Sequence, residues 1–423
     1  MKAFGFDVRW KVAQPYVTVE DYRKAALKRL PPFVRGYLDG GAEDLVTLNE
    51  NRDAFLRWSL KSKVLTATGT PDISTAAVGQ NLSLPILLAP TGFSGLYRWE
   101  SDIAAARAAE KRGTRLIAST VSSWSLEEIA QATTQDHCIQ LYPREGDFAA
   151  RLMKRAWDAG YRSLFLTVDS PVLGNRENER RKGMSMPLVL TPWRMLEMAA
   201  HPRWLYETLR YRRVSARNLV SGSSFSDAAE SFKIHARELV QSTLSWDDFS
   251  WMRDQWKGRI YLKGVVDADD ARTAVALGAD GVVVSNHGGR QLDFAQSTLA
   301  ALPPIAAAVG GRAEILLDGG VRRGTDVIKA IALGANAVLI GRPFLYGLTV
   351  AGQPGIEHVL DIFRSEITRA LTLMGVRSIR ELDASWLIDR RDFSAKDDSQ
   401  HTPLSLASSL EAHTQHEPKT IRA

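Results

Sequence analysis

The sequence predicts an α/β fold: a (β/α)8 barrel with an N-terminal helical extension and a long insertion after the fourth strand. Two observations carry this reading. From about Leu84 to Gly375, short β-rich apolar runs alternate with amphipathic stretches of helical period. Runs that are apolar throughout suit strands buried on both faces, as in a parallel sheet. In addition, Ala276-Leu277-Gly278-Ala279-Asp280 and Ala332-Leu333-Gly334-Ala335-Asn336 read as the same helix-to-strand return used twice. About eight such units close a barrel. A doubly wound open sheet is the alternative, but the number of runs and the lack of a GxGxxG turn after the first one speak against it.

The elements follow in chain order. Residues 1–83 form the extension, packed on the barrel, with helical stretches around Asp21–Leu38 and Asp44–Phe55. Residues 84–391 hold the barrel. Its runs are Pro85–Pro90, Arg115–Thr120, Cys138–Tyr142, Ser163–Asp169, Arg259–Val265, Gly281–His287, Glu314–Gly319 and Ala337–Pro343. Apolar residues at helical spacing predict helices over Asp102–Gly113, Phe148–Gly160, Asp267–Gly278, Thr325–Gly334 and Ile356–Met374, several stopping at a glycine. The insertion spans about 183–244. Within it, Pro192–Val214 sets Trp193, Met195, Leu196, Trp204, Tyr206 and Leu209 beside five arginines. That mixture suits an interfacial segment on anionic lipid; a helix pair packed on the barrel or on another subunit is the alternative. The tail, 392–423, is polar, poor in large apolar residues and reads as disordered.

The 423 residues are 45% hydrophobic and 24% charged, an ordinary globular composition. A net charge of +6 favours anionic ligands or an anionic membrane surface, and without a clustered basic stripe it gives no case for nucleic acid. Cys138 is the single cysteine, which excludes an internal disulfide and reads as a core thiol; no metal site is expected. The N-terminus lacks a signal-peptide core, and the longest apolar stretch, Leu82–Tyr97, is interrupted by Pro85, Pro90, Gly92 and Gly95. The default is a cytoplasmic protein, with surface attachment to a membrane allowed.

Barrel chemistry sits where strands end. Those positions here are polar: Ser119 and Thr120, Gln140 and Tyr142, Thr167 and Asp169, Lys263, Ser285-Asn286-His287, Asp318-Gly319-Gly320, and Gly341-Arg342. Asp318-Gly319-Gly320-Val321-Arg322 after the seventh strand and Gly341-Arg342 after the eighth suit a phosphate. Glycines admit an anion to backbone N–H groups, and arginines add charge-assisted hydrogen bonds. No Walker motif suggests an NTPase. His287 can serve as a base near neutral pH, and Arg290 can grip a carboxylate with two donors. Asp169 either orients an imidazole or caps the next loop. Arg176 is a second anion ligand or part of a solvated charged loop. Lys263, unusual inside a β-rich run, forms a Schiff base, stabilises charge on a cofactor or makes a salt bridge. By position alone Tyr37 is a core aromatic.

Taken together, SNHGGRQLD, LDGGVRRGTD, TVDSPVLGNR, QLYP, LKGV and YLDGGAEDLVTLNENRDAF resemble the FMN-dependent L-2-hydroxy acid oxidase/dehydrogenase family. The resemblance covers about Val19 to Leu387. It is strongest to the membrane-associated L-lactate and (S)-mandelate dehydrogenases, because of the insertion carrying His201-Pro202-Arg203-Trp204. It implies FMN at the C-terminal mouth of the barrel. His287 would be the base and Asp169 its partner. Arg290, Arg176 and Tyr37 would bind the substrate carboxylate, and Tyr142 the hydroxyl. Lys263 would face the flavin N1/O2 edge. Pro90, Thr91, Gly92, Ser119, Gln140, Thr167 and Ser285 would line the flavin and ribityl chain. Asp318, Gly319, Gly320, Arg322, Gly341 and Arg342 would hold the ribityl chain and phosphate. Gly92, where some soluble oxidases of the family carry Ala, leaves room for larger substrates. L-Lactate, oxidised to pyruvate, is the favoured substrate, with mandelate or another aryl or long-chain acid second. The implied acceptor is a membrane quinone, reached by peripheral contact with the inner face of the cell membrane, and the implied assembly is a tetramer. A soluble oxidase making hydrogen peroxide, an FMN barrel with non-redox chemistry and a non-enzymatic binding module are the competing readings.

Overall fold

The computed structural model describes residues 2–3, 6–7, 16–67, 69–142, 147–184, 191–235 and 244–392. The expected disordered tail therefore lies, but for its first residue, outside the described residues. Eight parallel strands form one sheet: β1 (Ile86–Leu88), β2 (Ile117–Ser119), β3 (His137–Leu141), β4 (Tyr161–Thr167), β5 (Arg259–Val265), β6 (Gly281–Val284), β7 (Glu314–Leu317) and β8 (Ala337–Ile340). Neighbours pair in chain order, and β8 returns to β1 with Val338 opposite Ile86. A parallel bridge between Leu88 and Leu116 closes the ring. The eight apolar runs are these eight strands: β5 has the expected bounds, β3 and β4 begin earlier, at His137 and Tyr161, and the others are shorter than the runs.

Inside the barrel, Leu87, Cys138, Phe165, Tyr261, Val283, Leu316 and Leu339 form one buried layer. Phe165 and Tyr261 stack at 4.6 Å. Burial pushes the Cys138 thiol up to about 12, as a core thiol requires. The hairpin of Thr75–Ala77 and Gln80–Leu82 is tied to the barrel by Val78 N–H donating to Glu314 Oε2 at 2.7 Å.

The N-terminal helices cover the opposite end. The stretch expected around Asp21–Leu38 is two helices, α1 (Val19–Arg29) and α2 (Pro32–Asp39). Pro31-Pro32 removes the donors that would continue α1, and proline at the start of α2 fits a first turn. α3 (Val46–Asp53) follows, then a 3-10 turn, Ala54–Arg57. This segment is stitched to the loop after β6. Ala42 N–H donates to Gly289 O at 2.9 Å, Thr47 N–H to Asp293 Oδ1 at 2.8 Å, and the Asn51 and Asn286 amides exchange hydrogen bonds at 2.8 Å each.

Around the sheet run α4 (Ser101–Lys111), α5 (Leu126–Ala130) and α6 (Asp147–Asp158). α7 (Glu177–Arg181) follows β4, and the insertion contributes α8 (Pro192–Ala199), α9 (Pro202–Tyr211) and α10 (Phe225–Ile234). The ring continues with α11 (Trp246–Gln255), α12 (Ala268–Ala276), α13 (Thr298–Val309), α14 (Gly324–Ala332), α15 (Arg342–Ala351) and α16 (Gln353–Met374). The sequence reading did not anticipate α13, which carries Pro303 and Pro304, or α15, which begins inside the expected phosphate loop.

Pro192–Val214 is a helix pair, α8 and α9. No residue of α8 is buried, and in α9 only Trp204 is. Trp204 meets Phe33 edge-on at 5.7 Å and donates its indole N–H to Leu96 O at 2.7 Å. Burying one indole contributes about 4–6 kcal/mol of apolar transfer, enough to anchor a short helix. The outer face stays apolar and solvent-facing: Trp193 is 70% exposed, Leu196 61% and Tyr206 64%. Among the described residues, no helix is long and apolar enough to cross a membrane.

Candidate active site at the barrel mouth

The strand ends open into one cleft. Its walls carry Tyr37, Pro90, Thr91, Gly92, Gln140, Tyr142, Thr167, Arg176, Lys263, His287 and Arg290. On the other side they carry Asp318, Gly319, Gly320, Arg322, Gly341 and Arg342. The remaining candidates, Ser119, Asp169 and Ser285, stand directly behind. Each holds a wall residue: Ser119 Oγ bonds Gln140 Oε1 at 3.1 Å, Asp169 pairs with His287, and Ser285 Oγ accepts from Lys263 Nζ at 2.9 Å.

His287 lies in the left-handed region at φ 57°, followed by Gly288 and Gly289, also at positive φ. A non-glycine residue there is strained, and the two glycines let the chain turn back at once. The turn aims the ring into the cleft. Its Nδ1 is 2.9 Å from Asp169 Oδ1, and its Nε2 is 3.4 Å from the Tyr142 hydroxyl. Burial pushes Asp169 up, but the His287 ring and Lys263 outweigh it and hold the carboxyl below its usual range. An ionised Asp169 accepts from Nδ1–H, which leaves Nε2 with the lone pair. The Tyr142 hydroxyl is pushed up by burial and by Asp169, so it remains a donor.

Three guanidinium groups converge beside this pair. Arg290 reaches Glu179 Oε1 at 2.8 Å, donates to Tyr37 O and Gly40 O at 2.9 and 3.1 Å, and lies over the Tyr37 ring at 5.0 Å. Arg176 meets Arg290 O and Gln291 Oε1, each at 3.3 Å. Arg342 donates to Leu38 O, Gly288 O and Gly40 O. Burial and then Arg290 lower Arg176, and the same causes push Arg342 down to about 10. Glu179 faces Arg290 and Arg176, while the carboxylate nearest Arg342, Asp39, is itself held by Arg23. The surplus positive charge suits an anionic ligand.

At the foot of the cleft, Lys263 Nζ is 2.9 Å from Asp318 Oδ2 as well as from Ser285. Burial lowers its proton affinity, but Asp318 and Asp169 outweigh burial and keep it a cation. Asp318 Oδ1 is buried without a hydrogen-bond partner among the described residues. Gly341 leaves its Cβ direction open, with nothing nearer than 3.8 Å.

Sequence reasoning missed Tyr97, Val121, Glu179 and His235. Tyr97 stacks on Tyr37 at 6.5 Å. Val121 packs against Gly92, where an added Cβ would lie 2.4 Å from Val121 Cγ2. Glu179 sat in a charged run that reads as solvated, and pairing with Arg290 across the fold is invisible to a linear pattern.

Residues 26–389 match the FMN-dependent dehydrogenase family. The chain is 42% identical over 372 residues to an L-lactate dehydrogenase of Allorhizobium ampelinum, covering 87% of this chain and 97% of that one. Among solved structures it is similar to the monotopic membrane protein (S)-mandelate dehydrogenase, at 37% identity and a TM-score of 0.85. That match covers 89% of this chain and all of that one. It is also similar to a mandelate oxidase, at 34% identity and a TM-score of 0.73, covering 88% and 98%. A match over most of the chain, on a closed parallel barrel with its polar groups gathered at one mouth, identifies the protein as a member of the FMN-dependent dehydrogenase family, an oxidoreductase acting on CH–OH donors.

Proposed function

We propose that the protein oxidises an L-2-hydroxy acid, with L-lactate favoured, and passes the electrons to a membrane quinone. One observation carries the reading. The His287–Asp169 pair and the surplus of buried arginine charge share one cleft, so a base and a carboxylate clamp face the same space.

The residues fit FMN. A buried cation at Lys263, an unpaired Asp318 Oδ1 and the open backbone at Gly341 leave polar capacity that the protein does not use itself. Pro90, Thr91, Gly92, Gln140 and Thr167 would line the flavin, with Ser119 and Ser285 supporting them. Asp318, Gly319, Gly320, Arg322, Gly341 and Arg342 would hold the ribityl chain and phosphate, and Lys263 would meet the electron-rich N1/O2 edge. FMN bound there supplies a two-electron acceptor.

The chain's own residues do the rest. Arg176, Arg290 and Tyr37 clamp the substrate carboxylate and fix its orientation, a large part of the acceleration such a site offers. Tyr142 donates to the substrate oxygen. His287 Nε2 takes a proton from the substrate, and Asp169 stabilises the imidazolium that results. The outer face of α8 and α9, apolar with interspersed arginines, would lie on an anionic bilayer and bring the mouth near a quinone.

Anaerobic bleaching of the yellow holoenzyme tests the reading. L-Lactate, L-mandelate and glycolate are added in turn and air is then admitted. Rapid bleaching by L-lactate with slow recovery in air is the expected result. Fast reoxidation would identify a peroxide-forming oxidase, and a flavin that no acid bleaches would overturn the substrate class. His287→Gln should keep its flavin and lose turnover by about 10²–10⁴-fold.

A further inference from the structure

The insertion does more than cover the outside of the barrel. Its helix α10 packs into the core through Phe232 and brings His235 to the cleft. Phe232 stacks face to face on Phe93 at 3.6 Å, and Phe93 follows Gly92 at the cleft wall. His235, just past the end of α10, borders the cleft itself. Its ring lies 5.4 Å from the Tyr142 ring and 5.7 Å from Phe93, centroid to centroid. The base His287 stands on the far side of Tyr142, 6.5 Å from its ring. His235 is therefore close to the reacting centre without being part of the base pair.

Its Nδ1 is buried and has no hydrogen-bond partner among the described residues. A buried, unpaired ring nitrogen costs about 1–3 kcal/mol, and the surrounding aromatic rings offer it nothing. A half-turn of the ring about Cβ–Cγ brings that nitrogen to the other edge at no change in volume. We propose that His235 is a specificity-determining residue that hydrogen-bonds a neutral oxygen on the side chain of a 2-hydroxy acid larger than lactate. This rests on the function proposed above and extends its substrate class.

Two observations support it. The buried Phe93–Phe232 stack fixes the end of α10 and so holds His235 at the cleft, beyond Tyr142. Burial, followed by Arg176 and His287, pushes His235 down to about 3, so the ring is neutral near pH 7. A neutral imidazole suits a hydroxyl or carbonyl, whereas a second carboxylate would call for a cation.

The test uses two matched pairs of acids that differ by one oxygen: L-3-phenyllactate against L-3-(4-hydroxyphenyl)lactate, and L-2-hydroxybutanoate against L-2,4-dihydroxybutanoate. Anaerobic flavin reduction is followed with the holoenzyme, with His235→Phe and with His235→Gln. In the unaltered enzyme, kcat/KM should favour the oxygenated member of at least one pair by about tenfold, the value of one hydrogen bond. His235→Phe should bring that ratio to within about twofold of unity, while His235→Gln, which keeps a donor and an acceptor, should retain part of it. No preference in the unaltered enzyme, or a preference that His235→Phe leaves intact, overturns the inference. If L-lactate bleaches the flavin and neither pair does, the inference fails while the proposed function stands. If no 2-hydroxy acid bleaches it, both fail.

Discussion

His287 Nδ1 lies 2.9 Å from Asp169 Oδ1, and the carboxylate's second oxygen is buried without a hydrogen-bond partner among the described residues. The oxygen that holds the ring also accepts from Ser170 Oγ at 3.2 Å. Asp169 sits tightly against β5: the Cβ position of Gly264, at φ 112°, is 2.5 Å from Asp169 Cβ, so only glycine leaves room for it. Asp169→Asn should therefore keep the flavin and slow its reduction by about 10²–10⁴-fold, because the amide no longer stabilises an imidazolium. Stopped-flow absorbance reads this directly. A rate within tenfold of the unaltered enzyme would remove Asp169 from the mechanism.

The same pair sets a pH window. Asp169 is held below its ordinary value of 3.8 in the fold. Its stabilising contribution is present above that unfolded value and is lost as pH falls through the lower folded one. Between pH 5 and 8 Asp169 itself stays ionised, so it loses none of its contribution there through its own protonation. The difference in midpoint between the unaltered enzyme and Asp169→Asn should shrink as pH falls below about 4. A difference that does not shrink there would contradict the assignment.

Arg290 spans Glu179, Tyr37 O and Gly40 O at once, which a lysine ammonium cannot do while also meeting a substrate carboxylate. Arg290→Lys should raise KM by about 10–100-fold. Glu179→Gln breaks a buried pair and should cost about 3–5 kcal/mol of stability. Steady-state kinetics and denaturant unfolding separate the two effects. An unchanged KM in Arg290→Lys would place the carboxylate clamp elsewhere.

The barrel was legible because its strands are buried on both faces, which writes an uninterrupted apolar run into the chain. The strand-end residues were legible for a related reason: polar groups appear abruptly where each run stops, as at Thr167 and Lys263. What the sequence hid depends on distant pairing. Glu179 and Arg176 share a run of alternating charge that looks solvated, and the approach of the β6 loop buries Glu179 and partly covers Arg176. His235 carries no motif, because its place is set by Phe232 meeting Phe93, far away in the chain. The break between α1 and α2 at Pro31-Pro32 corrects the single helical stretch expected around Asp21–Leu38. A helix through Pro303-Pro304 was not readable, since both prolines lie inside α13, past its first turn, where each removes an N–H donor and a proline normally reads as a break.

Gly92 offers a packing test. A methyl group there would lie 2.4 Å from Val121 Cγ2, a contact that real Cβ atoms do not make. Gly92→Ala must push Val121 or the expected flavin wall aside. It should slow flavin reduction by L-lactate by about 3–30-fold, equivalent to an overpacking cost of about 1–2 kcal/mol. Val121→Ala in the same chain removes the clash and should restore most of the rate. If the double variant is as slow as Gly92→Ala, the glycine serves the ligand and not Val121.

The exposed face of α8 and α9 gives the last expectation. Trp193, Leu196 and Leu209 are more than half exposed, and Trp204 already fastens α9 to the barrel. Their exposure is therefore not a failure to pack: the anchoring side is satisfied and a second apolar side remains. Burying each of the three in a bilayer contributes about 1.5–3 kcal/mol, and arginines at 203, 210 and 212 add attraction to anionic headgroups. Co-sedimentation with vesicles of phosphatidylcholine and phosphatidylglycerol should capture the protein, less so at high salt. Replacing all three residues by Ser should weaken binding by at least about a hundredfold, with the rate of flavin reduction by L-lactate retained, because none of them reaches the cleft. Binding that survives the triple replacement would move the contact to another surface, and a protein that never binds such vesicles would leave this face for a second protein chain.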